Sequence, residues 1–319
     1  MGAPFGGIGA VPATCTVEPA TTARENPAIG SNGEVPGIRR RSIVPVVSPL
    51  LDALRQIDGW DVPFVAVGVT GPCATVATRG DTRHPVCLAS VSKPVSALAA
   101  LVAVEEAVID LDEPAGPPGS TVRHLLAHAS GLPFEGVNPI APPARRRIYS
   151  NEGFAVLGEH IASRAEMPFA DYVRAAVCEP LGVTLDPRGH PGAGMHACVE
   201  DLLAFGRELL APSLVAAETH AEMVAVQFPG LAGVLPAFGR FSPLDWGLGV
   251  ELKGARAGHW TGSLTASTTF GHFGGGGTFL WADPQLALAC VVLTTRQFGE
   301  WAKAAWPLLS DAVVREFDS

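Results

Sequence analysis

The amino-acid sequence predicts an α/β (α+β) fold in which a helix-flanked sheet is built from both ends of the chain around an all-helical insertion. Three observations predict it. Strand-like runs occur early in the chain and again late in it, with segments of helical spacing between them. The Ala-, Val- and Leu-rich stretch that follows Ser90 is apolar on every side, as a helix buried at the centre of such a fold must be.

Residues 1–42 are rich in Gly, Pro, Ala and Thr without apolar periodicity, and read as an irregular arm. Leu50, Leu51, Leu54 and Ile57 recur at helical spacing and predict a first helix. Phe64 to Val69 and Ala74 to Thr78 read as strands joined through Gly71-Pro72. The central helix runs from Ser90 to about Ile109, with Pro94 in the first turn, where proline is tolerated. Further helices are expected near 121–129, 151–165, 169–178 and 199–211. Strands return at Trp246–Leu252, Thr268–Phe273, Thr278–Ala282 and Leu286–Leu293, followed by an amphipathic helix from about Glu300 to Phe317. The expected division is a sheet subdomain of residues 43–115 and 240–319 and a helical subdomain of residues 116–239.

A chain of 319 residues, 47% hydrophobic and 17% charged, can bury a substantial core. The formal net charge of -9 and the scattered arginines argue against a nucleic-acid surface. The two arginine runs, Arg39 to Arg41 and Arg145 to Arg147, read as solvated turns. The six cysteines (Cys15, Cys73, Cys87, Cys178, Cys198 and Cys290) show no CxxC or zinc-finger spacing. They read as small core hydrophobes in a reducing compartment. Pro45, Pro49 and Asp52 break the apolar stretch after Arg41, which disfavours a signal peptide, and no stretch is long enough to span a membrane. The expected location is the cytoplasm. No residue pattern calls for a cofactor or a metal.

The chemistry is concentrated at Ser90-Val91-Ser92-Lys93, an S-x-x-K arrangement at the start of the apolar helix. Positions i and i+3 share a helical face, so the hydroxyl and the amine can meet. A serine hydroxyl is a poor nucleophile until a base takes its proton, and a lysine desolvated against apolar walls loses enough pKa to be that base. The helix N-terminus adds positive potential beside a developing oxyanion. The chain has only three lysines, Lys93, Lys253 and Lys303, so a chance serine three residues before any one of them has a probability of about 0.2.

Leu88-Ala89-Ser90-Val91-Ser92-Lys93-Pro94, Leu111-Asp112-Glu113-Pro114 and Val122-Arg123-His124-Leu125-Leu126-Ala127-His128-Ala129-Ser130-Gly131-Leu132 occur in that order. Together they resemble the class C β-lactamase, D-alanyl-D-alanine peptidase and family VIII esterase group, and the likeness runs from Ile43 to the C-terminus. The resemblance implies a β-lactamase/transpeptidase-like fold with an antiparallel sheet. It matches the family's Tyr-x-Asn motif to Tyr149-Ser150-Asn151, giving Tyr149 a place in the proton relay and letting Asn151 hold a substrate carbonyl or the Lys93 amine. A core aromatic with a satisfied hydroxyl is the structural alternative for Tyr149.

The family's Lys-Thr-Gly strand is His272-Phe273-Gly274 here, followed by Gly275, Gly276 and Gly277. The resemblance implies that the backbone N–H groups of Ser90 and Gly275 form the oxyanion hole, where glycines allow close approach. His272 can donate to substrate or assist the relay; a buried, hydrogen-bonded histidine is its structural alternative. Phe273 supplies neither a hydroxyl nor a cation for the carboxylate of a penicillin or a D-alanyl terminus. The expectation therefore moves toward carboxyl ester hydrolysis or acyl transfer on neutral substrates. A β-lactamase, a D,D-peptidase and a binding or sensor protein without turnover remain as alternatives, and the expected partner is a small-molecule ester, amide or acyl donor. Other motifs fall away. His124 and His128, at i and i+4, lack a third metal ligand, and the glycine run at 274–277 lacks the Lys-Ser or Lys-Thr of a phosphate loop. No G-x-S-x-G elbow is present.

Overall fold

The structure, a computed structural model, describes residues 50–317. The arm at 1–42, Cys15 and the Arg39–Arg41 run lie outside the described residues. The first half of the fold comprises α1 (Leu50–Leu54), β1 (Val65–Thr70), β2 (Thr75–Arg79), β3 (Val86–Cys87), α2 (Ser92–Glu105), α3 (Val122–Leu126), β4 (Arg147–Ile148) and α4 (Glu152–Ala165). Then come α5 (Phe169–Val173), α6 (Glu179–Leu181), β5 (His196–Ala197), α7 (Val199–Leu210) and α8 (Ala217–Met223). The last part contains β6 (Gly233–Leu235), β7 (Gly239–Phe241), β8 (Glu251–Leu252), β9 (Phe270–Gly274), β10 (Thr278–Asp283), β11 (Leu288–Thr294) and α9 (Glu300–Phe317).

The main sheet has the order β2-β1-β11-β10-β9-β8 and every neighbouring pair is antiparallel. It is assembled from the two ends of the chain, with Val65 paired to Thr294. Side chains alternate across a strand, and the two faces feed two cores. Ala66, Leu280, Val291 and Leu293 pack toward α2 and α7, while Val67, Phe279, Trp281 and Val292 pack under Trp306 and Leu309 of α9. That is why β11 is apolar from Leu288 to Leu293: both of its faces are buried. At Gly68 a β-carbon would come within 2.7 Å of Leu203 and 2.8 Å of Val199, so the glycine lets α7 lie directly on the sheet.

Three sequence expectations are corrected. The stretch Trp246–Leu252 is a strand only at Glu251–Leu252, because Gly249 turns the chain with φ of 74° and Gly247 N–H donates to the Val250 carbonyl at 2.9 Å. The central helix stops at Glu105 rather than near Ile109, where Ala107 adopts φ of 57°. The cysteines are not uniformly small core residues: Cys178, Cys198 and Cys290 are buried free thiols, Cys87 is exposed, and Cys73, at the exposed tip between β1 and β2, is disulfide-bonded. A disulfide removes the cysteine argument for a reducing compartment. No helix among the described residues is long and apolar enough to cross a membrane.

The run Arg145–Arg147 is also corrected in part. Arg145 and Arg146 are exposed, but Arg147 is buried and donates to the carbonyls of Ala127, Gln227, Phe228 and Leu244. Burial pulls its pKa down to about 10. This guanidinium ties the segment entering Tyr149 to the loops on either side of β6. Arg147→Ala would leave those carbonyls without a donor, and we expect a loss of about 3 kcal/mol in equilibrium urea unfolding; a loss within 0.5 kcal/mol, roughly what an ordinary surface substitution costs, would mean that water replaces the guanidinium.

Candidate active site

Ser90 sits in a single 3-10 turn, Ala89–Val91, immediately before α2. Ala89 is held at φ of 47°, a left-handed conformation that costs a non-glycine residue about 1 kcal/mol or more. Long-range bonds hold it there: Leu88 N–H donates to the Met195 carbonyl at 2.8 Å, and the Thr278 hydroxyl donates to the Leu88 carbonyl at 2.7 Å. β9 runs alongside. A β-carbon at Gly274 would stand 2.5 Å from the Leu88 oxygen and 3.0 Å from Ala89, so only glycine allows this approach. Gly275 follows, with nothing within 4 Å of its own β-carbon position and its carbonyl accepting from Phe298 N–H at 2.9 Å.

Lys93 lies one helical turn on and is fully buried. Its Nζ is 3.3 Å from Ser90 Oγ, 2.6 Å from Asn151 Oδ1 and 2.8 Å from the Gly192 carbonyl. The rings of Tyr149 and Phe154 lie 4.7 and 5.4 Å from it. Among the described residues no carboxylate approaches, and burial pushes the amine well below the usual lysine range. A neutral amine has two N–H bonds and one lone pair. Both carbonyl-type oxygens can only accept, so they take the two N–H bonds and leave the lone pair directed at the Ser90 hydroxyl.

Asn151 occupies the N-cap position of α4, a place that favours asparagine, yet its side chain makes no capping bond there. The amide is used on Lys93 instead. Tyr149 is buried against His128, Trp246 and Phe134, and desolvation pushes its phenol above the ordinary tyrosine value while a hydrogen bond with Ser90 opposes that shift. Its hydroxyl is 3.4 Å from His272 Nε2. His272 Nδ1 lies 2.6 Å from the Phe273 carbonyl, which can only accept, so Nδ1 carries the proton and Nε2 receives the Tyr149 O–H. Burial above all pulls His272 down to about 3, which keeps the ring neutral.

The structure therefore brings Ser90, Lys93, Tyr149, Asn151, His272 and the Gly274–Gly275 segment together. It does not bring in the Phe273 side chain. Consecutive residues of a strand face opposite ways, and Phe273 packs among Phe238, Trp260, Phe298 and Trp306, in the core under α9. His124 and His128 also part company: α3 ends at Leu126, His128 turns back with φ of 55°, and its Nδ1 accepts from Ser150 N–H at 3.1 Å. His124 stacks on Phe228. No cluster able to hold a metal ion occurs among the described residues.

Sequence reasoning missed the loop His190–Met195, which clamps the start of α2. The Ser96 hydroxyl donates to the Pro191 carbonyl, Lys93 to that of Gly192, and Met195 N–H to Ser92 Oγ. The signal available was Gly189-His190-Pro191-Gly192-Ala193-Gly194, a turn-forming run whose target helix is far away in sequence. A cleft of about 500 Å³ opens onto Tyr149 between the segment around Phe134 and Ile140 and the small sheet β4-β6-β7.

The Beta-lactamase family profile matches residues 57–186 and 183–313, most of the chain. The chain belongs to the Beta-lactamase family. This is a family of serine hydrolases on a mixed fold of helices and antiparallel sheet. A beta-lactamase of known structure from Mycobacterium bovis is 51% identical, with a TM-score of 0.82 over 83% of this chain and 99% of that one. The hydrolase EstCE1, which has promiscuous acyltransferase activity, shares the fold at 18% identity and a TM-score of 0.69, covering 83% and 97% of the two chains. Penicillin-binding protein 4* of Bacillus subtilis is 28% identical over 129 residues, which spans 30% of this chain and 29% of that relative.

The protonation states make a kinetic prediction. A neutral Lys93 as base means that kcat/KM for an ester falls as pH drops through the pKa of the amine, with an acid limb well below the usual lysine range and no requirement for alkaline pH. A profile that instead climbs throughout the alkaline range would assign the base to the Tyr149 phenolate.

Proposed function

We propose that this member of the Beta-lactamase family is a serine hydrolase or acyltransferase that forms an acyl-enzyme on Ser90 with small carboxyl esters. The observation that carries the reading is the Lys93 amine: buried, without a carboxylate, and offered two oxygen acceptors besides Ser90. In the first step the Ser90 hydroxyl proton passes to the Lys93 lone pair as Oγ attacks the ester carbonyl carbon. The N–H groups of Ser90 and Gly275 hold the oxyanion. Collapse breaks the bond to the leaving alkoxide, which takes the proton back from Lys93 through the Tyr149 hydroxyl. Water then attacks the acyl-enzyme, giving a proton to Lys93, and the tetrahedral adduct expels Ser90 Oγ, which takes that proton back. In acyl transfer an alcohol or amine takes the place of that water.

Ester chemistry is favoured over β-lactam chemistry by what stands on β9. His272 is neutral and Phe273 faces the other way, so neither side chain offers a cation or hydroxyl to a carboxylate beside the reacting carbonyl. β-Lactam hydrolysis is the second reading, favoured by the 51% identical relative that is named a beta-lactamase.

Intact mass after exposure to a fluorophosphonate tests the nucleophile, and turnover of p-nitrophenyl butyrate against a chromogenic cephalosporin tests the substrate class. We expect one phosphonyl adduct on the wild type and none on Ser90→Ala, with ester turnover lowered more than about a thousandfold in that variant. Faster turnover of the cephalosporin than of the ester would install the second reading, and labelling of Ser90→Ala equal to wild type would remove the nucleophile assignment.

A further inference from the structure

The cleft that opens onto Tyr149 has a chemical gradient built across it. Its inner surface is apolar: Phe134, Ile140, Ile148 and Val234 line it, and Phe134 stacks on the Tyr149 ring at 6.0 Å. Phe134, Ile140 and Val234 are 46%, 56% and 52% exposed, an unusual outlay of large apolar side chains around one concavity. The small sheet arranges one wall in register, with Ile148 on β4 opposite Val234 on β6 and Val234 opposite Arg240 on β7. Directly paired residues share a face. A row therefore leads from the residue beside Tyr149, across Val234, to a guanidinium two strand spacings away, roughly 10 Å.

The charge at the far end is unanswered. Acidic residues outnumber basic ones in the chain by 31 to 22, yet among the described residues neither aspartate nor glutamate lines this cleft, and Arg146 joins Arg240 in it. Among the described residues Arg240 makes no hydrogen bond or ion pair, and Arg146 reaches only the Ile140 carbonyl at 3.4 Å.. The third arginine of the lining, Arg147, is spent on backbone carbonyls. Guanidinium groups in this setting suit a planar carboxylate, and the apolar floor suits an alkyl chain.

We infer that the cleft selects acyl groups whose alkyl chain ends in a carboxylate, the chain lying across Ile148 and Val234 and the carboxylate meeting Arg240 and Arg146. This rests on the acyl-enzyme reading above and narrows its substrate class. The expectation of neutral substrates then holds only around the reacting carbonyl: recognition of a negative charge has left β9 and sits at the other end of the acyl chain.

Four p-nitrophenyl esters test it: the octanoate, the half ester of octanedioic acid, the butyrate, and the half ester of succinic acid, whose carboxylate cannot cross the row. In the wild type we expect kcat/KM for the octanedioate half ester to exceed that for the octanoate about fivefold, as for a partly exposed ion pair, and the advantage to shrink with added salt. The succinate half ester should show no advantage over the butyrate. Arg240→Gln should bring the octanedioate-to-octanoate ratio to about one, and Arg240→Glu should invert it; because the readout is a ratio within one protein preparation, partial loss of folded enzyme does not imitate the result. A wild-type ratio at or below one, or an unchanged ratio in Arg240→Glu, overturns the carboxylate assignment while leaving the serine hydrolase intact. Absence of turnover on every ester overturns the acyl-enzyme reading itself, and this inference with it.

Discussion

A lysine amine taken out of water must satisfy its hydrogens locally or give up its charge, and at Lys93 the acceptors are in place while burial favours the neutral form. The walls are the rings of Tyr149 and Phe154, the acceptors are Asn151 and the Gly192 carbonyl, and what remains of the nitrogen faces Ser90. Much of the surrounding architecture serves that arrangement. α2 is buried along most of its length, so its first turn is dry; α4 starts at Asn151 with an amide left free from capping; the His190–Met195 loop is folded back onto the helix start by Ser92, Lys93 and Ser96.

The neighbouring groups are consistent with a site that works without a permanent cation. Where relatives carry a lysine on the strand beside the nucleophile, this chain has a neutral imidazole whose proton is committed to the Phe273 carbonyl. A neutral His272 does not stabilise a tyrosinate, and burial further discourages one. Tyr149 is thereby left as a hydroxyl that accepts and donates in turn. In the mechanism proposed above, acid–base duty falls on Lys93, and Tyr149 and His272 supply the directional hydrogen bonds around it.

Local spacing made much of this legible in the sequence. Ser90 and Lys93 stand one helical turn apart, and Asn151 follows Tyr149 at a motif distance, so their grouping needed only short-range rules and a resemblance. The strand alternation that sends Phe273 away from His272 was also present in the sequence, as two adjacent residues on a predicted strand. Arg147 was misread because a charge run is counted as a unit, whereas Arg146 stays exposed ahead of β4 and Arg147, the first residue of that strand, is buried. The Gly192 carbonyl shows in the sequence only as part of a turn-forming run, and the Thr278 tether to Leu88 not at all: a backbone oxygen or a strand threonine becomes part of a site only through tertiary packing. The same holds for Ala89, whose left-handed conformation is imposed by Leu88, Met195 and Gly274 from three separate regions of the chain.

The pairing of β1 with β11 has a temporal consequence. Ser90, Lys93 and Asn151 are all made well before the strand that lies against Ala89 and the partner that completes the sheet around β1, which come from beyond residue 270. Closing so long a loop is slow and uphill until the last contacts form. A nascent chain thus carries its serine and lysine through a long stretch of elongation before the glycine strand beside them is made, and the acyl-enzyme chemistry proposed for them waits on strands from beyond residue 270.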